Sequence, residues 1–395
     1  DLTIGVLGTG AMGRGIVQVA VAGGITVLMM DTKPGAAEEA RDFIGKMLSR
    51  AAEKGSMTKE DAAAATARIK VINSLAEFKP CHAVIEAVVE NLDVKRQVFG
   101  ELENIVAPDC ILATNTSSMS VTTIAAKLKT PQRFAGFHFF NPVPLMRLVE
   151  VISGLLTEEW VCEALVGIGK RMTREPVRCN DAPGFLVNQV GRGFSLEGSH
   201  LVYEGVSTFV DVDRVMRDVG GFRMGPFELM ELTGLDVTQP ASVLIYSQFF
   251  QEPRYRPSLI MQSRYEAGVL GRKSKKGFYN YDEEMKAIVP PEAPAPAARP
   301  DSVWVSPAEP AGHAAVTELL SKLGANVESG KTPSAKALIL VTPIGEDATT
   351  CAVEQGLDPK RTVAIDTLFP LVKRRTIMGT PITDPAYRDA AHGLL

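Results

Sequence analysis

Across residues 1–180, short runs of β-branched and other apolar residues alternate with longer stretches in which apolar residues recur at helical spacing. This alternation predicts a parallel sheet with helices on both faces. The predicted strands span residues 3–7, 26–30, 83–87, 110–114, 133–137 and 148–152. The predicted helices span residues 12–22, 36–54, 92–106, 121–128 and 158–172.

The alternation stops at Asp181-Ala-Pro-Gly184, where proline and glycine interrupt the chain. Beyond this break apolar residues recur at helical spacing, and after a Pro/Ala tract the strand–helix alternation returns. We therefore expect four segments: an α/β domain with a helical insertion over 1–182, a helical domain over 183–285, a linker over 286–301 and a second α/β module over 302–395.

Net charge, hydropathy and cysteine content limit the partners and the cellular compartment that the sequence is compatible with. The 395 residues carry a formal net charge of −4, which argues against a nucleic-acid partner. No apolar stretch approaches the ~20 residues that span a bilayer. The five cysteines form no Cys-x-x-Cys motif or Cys/His cluster, so neither a disulfide framework nor a metal site is expected. These features favour a cytoplasmic protein, and the missing initiator Met suggests a trimmed start.

A glycine-rich turn follows the first predicted strand. Gly8, Gly10 and Gly13 match G-x-G-x-x-G where a helix begins, and Asp31 closes the second strand. Such glycines let a pyrophosphate approach the helix N-terminus, and the carboxylate would accept hydrogen bonds from a ribose. We predict NAD rather than NADP, because Asp31 would repel a 2′-phosphate. Lys33 could reach that phosphate, although such a lysine is more often a solvated surface charge.

Two ionisable residues lie in apolar strands near the predicted cofactor edge. His138 ends one strand, and Glu150 is the lone carboxylate in the next. A buried carboxylate needs a partner, and an imidazole would make the two an acid/base pair. A buried histidine that is satisfied by the backbone is the alternative.

Two further polar residues are candidates for substrate contact. Ser117 follows the strand over 110–114, and Asn188 begins the helical domain. A helix N-cap is the alternative for the serine cluster, particularly for Ser118 or Ser120. An interhelical hydrogen bond is the alternative for Asn188.

Several motifs together resemble the 3-hydroxyacyl-CoA dehydrogenase family, in particular its long, internally duplicated bacterial members. They are Asn115-Thr-Ser-Ser, Gly136-Phe-His-Phe-Phe-Asn-Pro-Val-Pro-Leu-Met, Asp181-Ala-Pro-Gly-Phe-Leu-Val-Asn188, Met224-Gly-Pro-Phe-Glu-Leu and Lys276-Gly-Phe-Tyr-Asn-Tyr281. The resemblance covers about residues 1–285 and implies NAD-dependent oxidation of a (3S)-hydroxyacyl-CoA, in fatty-acid β-oxidation or phenylacetate catabolism.

The resemblance also implies a role for each matching position. His138 would be the general base, Glu150 its partner, and Ser117 and Asn188 substrate contacts. NAD would be held by Gly8, Gly10, Gly13 and Asp31, with Glu90 and Lys95 near its nicotinamide half. Lys54, in the helical insertion, would contact the CoA moiety, although a lysine on a charged helix is often only solvated. A homodimer through the helical domain is expected.

The last module contains an internal repeat. One ungapped shift lays Ile339 on Ile111 and Arg361 on Arg133. It also lays Asp366 on His138, Gly345 on Ser117 and Met378 on Glu150, and residues 303–306 could be a remnant first strand. The chain is thus predicted to be a Rossmann-type NAD-binding domain plus an all-α domain, followed by a degenerate, truncated Rossmann-like module that is not catalytic.

Two other functions are compatible with parts of this pattern. One is a catalytically inactive NAD/CoA-binding protein, and the other is a dehydrogenase of sugar acids, which would lack the His-Phe-Phe-Asn-Pro run. The acyl group considered is 3-hydroxybutyryl or 3-hydroxyadipyl. Arg223, Arg256 and Arg264 could meet a dicarboxylic tail, but surface arginines are the commoner explanation.

Overall fold

Eight strands form one sheet in the computed structural model, which describes residues 2–395. In chain order they are β1 (Thr3–Leu7), β2 (Thr26–Met30), β3 (Ile69–Val71), β4 (Ala83–Glu86), β5 (Ile111–Thr114), β6 (Phe134–Phe139), β7 (Leu148–Ser153) and β8 (Glu175–Asn180). They lie in the order β3-β2-β1-β4-β5-β6-β7-β8, parallel except for the pair β6 and β7. The order reverses between β1 and β4, where open α/β sheets bind ligands at the carboxyl ends of their strands.

Helices cover both faces of this sheet. They are α1 (Ala11–Ala22), α2 (Ala36–Glu53), α3 (Lys59–Ala67), α4 (Leu92–Leu102), α5 (Val121–Ala125) and α6 (Glu159–Arg171). One apolar cluster includes Val6 and Ile16 on the α1 face, and another includes Val84 and Phe99 on the α4 face. Burial on both faces explains why the central strands are continuous apolar runs. The predicted Rossmann-like domain is confirmed, with two strands, β3 and β8, that the pattern missed.

Internal contacts divide the chain into two units. The first comprises residues 1–193 and 241–256, and the second comprises residues 194–240 and 257–395. The helical part contains α7 (Val187–Tyr203), α8 (Phe209–Asp218), α9 (Pro226–Thr233), α10 (Leu235–Gln248), α11 (Leu259–Glu266) and a hairpin of β9 (Asn280–Tyr281) and β10 (Ala287–Ile288). The predicted helical character of this part of the chain is therefore confirmed, although the division between the two units falls within α7 and α10.

Buried carboxyl groups tie the helices of the second unit to its hairpin. Asp213 accepts hydrogen bonds from the Phe227 and Glu228 amides and from the Tyr279 hydroxyl. Glu231 accepts one from the Phe278 amide. Burial, which outweighs these donors, raises the pKa of Asp213 to about 6. The acidic side chains are thus structural, and their titration is coupled to folding.

A second sheet lies in the last part of the chain. Its strands are β11 (Val303–Val305), β12 (Leu338–Val341), β13 (Thr362–Ile365) and β14 (Ile377–Gly379), and its helices are α12 (Pro310–Lys322), α13 (Ala348–Glu354) and α14 (Pro385–Leu394). Strands β11, β12 and β13 are parallel neighbours, and β14 pairs antiparallel with β13. This run of three parallel strands and one antiparallel strand also occurs over β4–β7.

Two details of the predicted repeat are wrong. Strand β11 lies directly beside β12, whereas β1 and β5 are separated by β4, so residues 303–306 do not occupy a first-strand position. Met378 pairs with Ala364, and the Asp366 amide donates to the Thr376 carbonyl. Thr376 therefore faces Asp366, and the ungapped match of Met378 with Glu150 is two residues out of register.

Within residues 2–395, every helix is too short or too polar to cross a membrane.

Candidate functional site

The glycine turn between β1 and α1 is tightly packed at two of its three glycines. Gly8 has φ +94°, and a Cβ there would lie 2.5 Å from the Ala87 carbonyl oxygen. A Cβ on Gly13 would lie 1.8 Å from the Gly8 carbonyl oxygen, whereas nothing lies within 4 Å of one on Gly10. The turn is therefore closed at Gly8 and Gly13 and open at Gly10, where the first amides of α1 have no helical acceptor. This cradle fits a dinucleotide pyrophosphate.

Asp31 is fixed beside this turn. Its Oδ2 accepts from the Thr9 amide at 2.7 Å and the Thr9 hydroxyl at 2.9 Å, and its Oδ1 accepts from the Lys33 amide at 2.9 Å. Partial burial raises the pKa of Asp31, but these donors outweigh it and hold the pKa below its ordinary value. The carboxylate thus lies where a ribose next to the pyrophosphate would meet it. The role of Thr9 in orienting it was not predicted.

Lys95 is buried in a small charge network at the ends of β4 and β5. Its ammonium lies 2.7 Å from a Glu86 oxygen and 3.2 Å from a Glu90 oxygen. Glu86, fully buried, also accepts from the Thr114 hydroxyl at 2.7 Å. Sequence reasoning missed Glu86, although a carboxylate closing an apolar strand was the available signal.

Glu90 is the more exposed carboxylate of this network. It accepts hydrogen bonds from the hydroxyls of Thr116 and Ser118 and from the Ser117 amide. Burial raises the pKa of Glu90, but the Thr116 hydroxyl and the Lys95 charge outweigh it and lower the pKa overall. Glu90 therefore connects Lys95 with the serine-rich loop after β5.

His138 and Glu150 are directly opposite each other on the antiparallel strands β6 and β7. The distance between His138 Nδ1 and Glu150 Oε2 is 2.6 Å, and both side chains are buried. The other carboxylate oxygen accepts from the amides of Leu186 and Val187, at 3.0 and 2.8 Å. Since a carboxylate that accepts on both oxygens needs a donor at Nδ1, the Nε2 atom of a neutral His138 is left as an acceptor.

The two predicted substrate contacts flank this pair. Ser117 is exposed in the loop after β5, the strand beside β6. Asn188 is the second residue of α7, whose start is held by Glu150 through the Leu186 and Val187 amides. Ser120, rather than Ser117, is the N-cap of α5, where its hydroxyl accepts from the Thr123 amide. The helix-cap explanation therefore applies to Ser120, and Ser117 stays a candidate for substrate contact.

A cavity of about 470 Å³ lies between α1, α2 and the loop over 141–145 that follows β6. Lys54, the predicted CoA contact, lines it together with Arg14 and Arg50. Within residues 2–395, no group of three His, Cys, Asp or Glu side chains is arranged to hold a metal ion. The three cationic side chains make this cavity suited to binding anions.

The second sheet has no comparable site at the end of β11. The helix that follows, α12, is capped at its N-terminus by Glu309, whose own carboxylate accepts from the Gly312 amide. An acidic side chain at this helix N-terminus occupies the position of an anion and repels a phosphate. Among the described residues of this sheet, Asp366 stands where the repeat would place a histidine, so the contact between His138 and Glu150 has no counterpart.

Two family models match consecutive parts of the chain. The model described as 3-hydroxyacyl-CoA dehydrogenase, NAD binding domain, matches residues 3–182. The model described as 3-hydroxyacyl-CoA dehydrogenase, C-terminal domain, matches residues 184–281.

Curated relatives carry names that agree with these models. The chain is 40% identical over 291 residues to the 3-hydroxyadipyl-CoA dehydrogenase of Escherichia coli K12, covering 74% of this chain and 61% of that protein. It is also 40% identical over 279 residues to the "Probable 3-hydroxybutyryl-CoA dehydrogenase" of Bacillus subtilis 168, covering 71% of this chain and 97% of that one. The chain thus spans less than two thirds of the first relative.

Solved structures extend the likeness to the last module. The crystal structure of a 3-hydroxybutyryl-CoA dehydrogenase from E. coli K12 matches 99% of this chain and 77% of that one, with a TM-score of 0.83 and 33% identity. The structure of an (S)-3-hydroxybutyryl-CoA dehydrogenase from Ralstonia eutropha matches 71% of this chain and 99% of that one, with a TM-score of 0.68 and 36% identity.

Proposed function

Since the chain belongs to the 3-hydroxyacyl-CoA dehydrogenase family, we propose that it oxidises (3S)-3-hydroxyacyl-CoA thioesters to 3-oxoacyl-CoA thioesters with NAD. The observation that carries this proposal is the 2.6 Å contact between His138 and Glu150. The pair lies in the same sheet as the glycine turn and Asp31. An acid/base group and a dinucleotide cradle in one sheet are the two elements that such an oxidation requires.

The proposed chemistry uses the free ring nitrogen of His138. In the oxidation direction Nε2 removes the proton of the substrate 3-hydroxyl, while Glu150 holds Nδ1–H and stabilises the imidazolium that forms. In the reverse direction the imidazolium returns the proton to the developing alkoxide. Glu150 is suited to this role because the Leu186 and Val187 amides fix its second oxygen. Ser117 and Asn188 would donate hydrogen bonds to the substrate oxygens.

The glycine turn and Asp31 would hold the cofactor. NAD held there would supply the hydride acceptor for C3 of the substrate. Gly8 and Gly13 keep the turn closed, Gly10 leaves room for the pyrophosphate, and Asp31 would accept from the adenosine ribose hydroxyls. The burial of Lys95 suggests that it acts by positioning Glu90, which would then contact the nicotinamide half.

The cavity beside α2 would receive the CoA moiety, with Lys54 at a phosphate. Relatives named for 3-hydroxyadipyl-CoA and for 3-hydroxybutyryl-CoA are equally similar to this chain, so both acyl groups are proposed as substrates. Of the arginines considered for a dicarboxylic tail, Arg264 lies over the Phe278 ring at 4.2 Å and donates to the Ile260 carbonyl. These contacts favour a packing role for Arg264.

We also propose a cytoplasmic homodimer formed through the helical domain, and a last module that derives from a second copy of residues within 1–182 and is not catalytic. The shared order of three parallel strands and one antiparallel strand supports the common origin. The missing acid/base pair and the acidic start of α12 support the loss of activity.

The test is oxidation of NADH in the presence of acetoacetyl-CoA, run beside 3-oxoadipyl-CoA. Turnover of either substrate would establish the reaction class, and the ratio of the two kcat/KM values would give the preferred acyl group. Binding of NADH without turnover of either would instead support a catalytically inactive NAD/CoA-binding protein.

A further inference from the structure

The cavity beside α2 has three walls, and two of them are single helical stripes. On α1 the lining residues include Ala11, Arg14 and Gly15, which recur at the three- and four-residue spacing of one helix face. On α2 the lining residues run from Phe43 to Ala51 with the same spacing, and Lys54 directly follows the helix. The third wall is the loop over 141–145. The loop that follows β6, the strand of His138, therefore lines the same cavity as Lys54.

The α1 wall and the loop are in close contact. A Cβ on Gly15 would lie 2.8 Å from the Val143 side chain, so glycine is what allows the loop to lie against the helix. Arg14, which directly follows the tightly packed Gly13, lies on the cavity side of α1. The α1 stripe is thus turned towards α2 and the loop, whereas the amides that would receive the cofactor are at the helix end.

The charges that line this cavity have one sign. Arg14, Arg50 and Lys54 are its ionisable residues, and no carboxylate lines it. None of the three forms an ion pair with any residue in the range 2–395. A concave surface with three unneutralised cations attracts anions with several charges.

Arg14 is held in a fixed orientation. Its guanidinium carbon lies 4.3 Å from the centre of the Phe43 ring. Stacking of a guanidinium on an aromatic face leaves the N–H groups at its edge free to donate. Because the planar group is already positioned, little side-chain entropy is lost when an anion binds.

We propose that Arg14, stacked on Phe43, binds a phosphate group of the CoA moiety and thereby makes the protein select CoA thioesters over thioesters that lack the nucleotide. This assignment rests on the proposed function. It places a second cationic contact on α1, across the cavity from Lys54 on the α2 side. The phosphates of a CoA thioester are remote from its reacting carbon, and the basic residues lie on α1 and at the end of α2 rather than on the strands that carry His138 and Glu150.

The experiment compares acetoacetyl-CoA with acetoacetyl-N-acetylcysteamine, a thioester without phosphates, in the wild type, Arg14→Gln and Arg14→Lys. We expect Arg14→Gln to lower the ratio of kcat/KM values, CoA thioester over truncated thioester, by about tenfold, as for loss of one charged hydrogen bond. Arg14→Lys, which keeps the charge but not the stack, should lower it less. Lys46→Gln, on an exposed position of α2 outside the cavity, is the matched control and should leave the ratio unchanged.

Two results would overturn the assignment while the dehydrogenase activity persists. One is a ratio of the two kcat/KM values that is unchanged in Arg14→Gln. The other is an increase in the KM for NADH instead of a lower ratio, which would mean that Arg14 contacts the cofactor. A binding measurement separates this inference from the proposed function. Calorimetry with adenosine 3′,5′-bisphosphate, a fragment of CoA, should show about tenfold weaker binding to Arg14→Gln, even if no acyl-CoA is turned over. Equal binding to both proteins would refute the inference.

Discussion

His138 Nδ1 and Glu150 Oε2 lie 2.6 Å apart on directly paired residues of two antiparallel strands. The same carboxylate accepts from two amides at the start of α7 through its other oxygen. A single buried side chain therefore orients the imidazole and anchors the helix that carries Asn188. Glu150 therefore connects the proton transfer proposed for His138 with the position of Asn188, a proposed substrate contact.

Glu150→Gln is expected to lower kcat by about 10²–10⁴-fold, since an amide cannot both receive Nδ1–H and stabilise an imidazolium. Steady-state kinetics with acetoacetyl-CoA and NADH would measure the effect. Glu175→Gln is the control, because this exposed carboxylate pairs only with Arg147 on the surface. A Glu150→Gln enzyme with more than about a tenth of wild-type kcat would exclude an orienting role for Glu150.

Asp31→Asn is expected to raise the KM for NADH by about tenfold and to reduce the preference for NADH over NADPH. The physical reason is loss of the negative charge that accepts from a ribose and repels a 2′-phosphate. Initial rates with both cofactors would give the two ratios, and Asp42→Asn, an exposed change, serves as control. An unchanged preference would place cofactor discrimination elsewhere, with Lys33 as the first candidate.

One NADH is expected to bind per chain, because the only glycine cradle in the described residues is the one after β1 and Glu309 occupies the start of α12. Calorimetric titration would measure the stoichiometry. Gly13→Val should abolish binding, since a Cβ there would lie 1.8 Å from the Gly8 carbonyl oxygen. Two equivalents per wild-type chain would show that the last module also binds the cofactor.

The buried carboxyl of Asp213 predicts a pH-dependent contribution to stability. Its folded-state pKa of about 6 lies above the ~3.9 of an unfolded aspartate, so its contribution to stability declines as the pH rises between these values. Tyr279→Phe removes a donor that favours the charged form, and should raise the pKa further.

Carbon NMR of the carboxyl groups would test this. The Asp213 signal is identified by its absence in Asp213→Asn. The wild type should titrate near pH 6 and Tyr279→Phe at a higher pH. A signal that titrates near 4 in both proteins would contradict the account.

Much of the first sheet could be predicted from the sequence because its central strands are buried on both faces. Strands β1, β2, β5 and β7 agree with their predicted ranges to within a residue or so. Strand β8 was missed because Glu175–Asn180 is polar and only partly buried, as at a sheet edge. Strand β3 has three residues, too few for a periodic pattern.

The site could be predicted only where a polar residue interrupts an apolar run. This signal identified His138 and Glu150, whose contact is the one that the sequence suggested. The register of β13 and β14 could not be read from an ungapped repeat, because a displacement of two residues preserves the alternation of faces. The cavity that Arg14 lines depends on the packing of α1 against α2, which no local pattern encodes.

The most direct measurement is the rate of acetoacetyl-CoA reduction by NADH in the wild type and in His138→Gln, with NADH affinity measured in parallel. We expect turnover in the wild type, a fall in kcat of at least about 10²-fold in His138→Gln, and nearly unchanged NADH affinity. His82→Gln, an exposed histidine outside the site, should behave as the wild type. A His138→Gln enzyme that retains more than about a tenth of wild-type kcat would contradict the assignment of His138 as the general base.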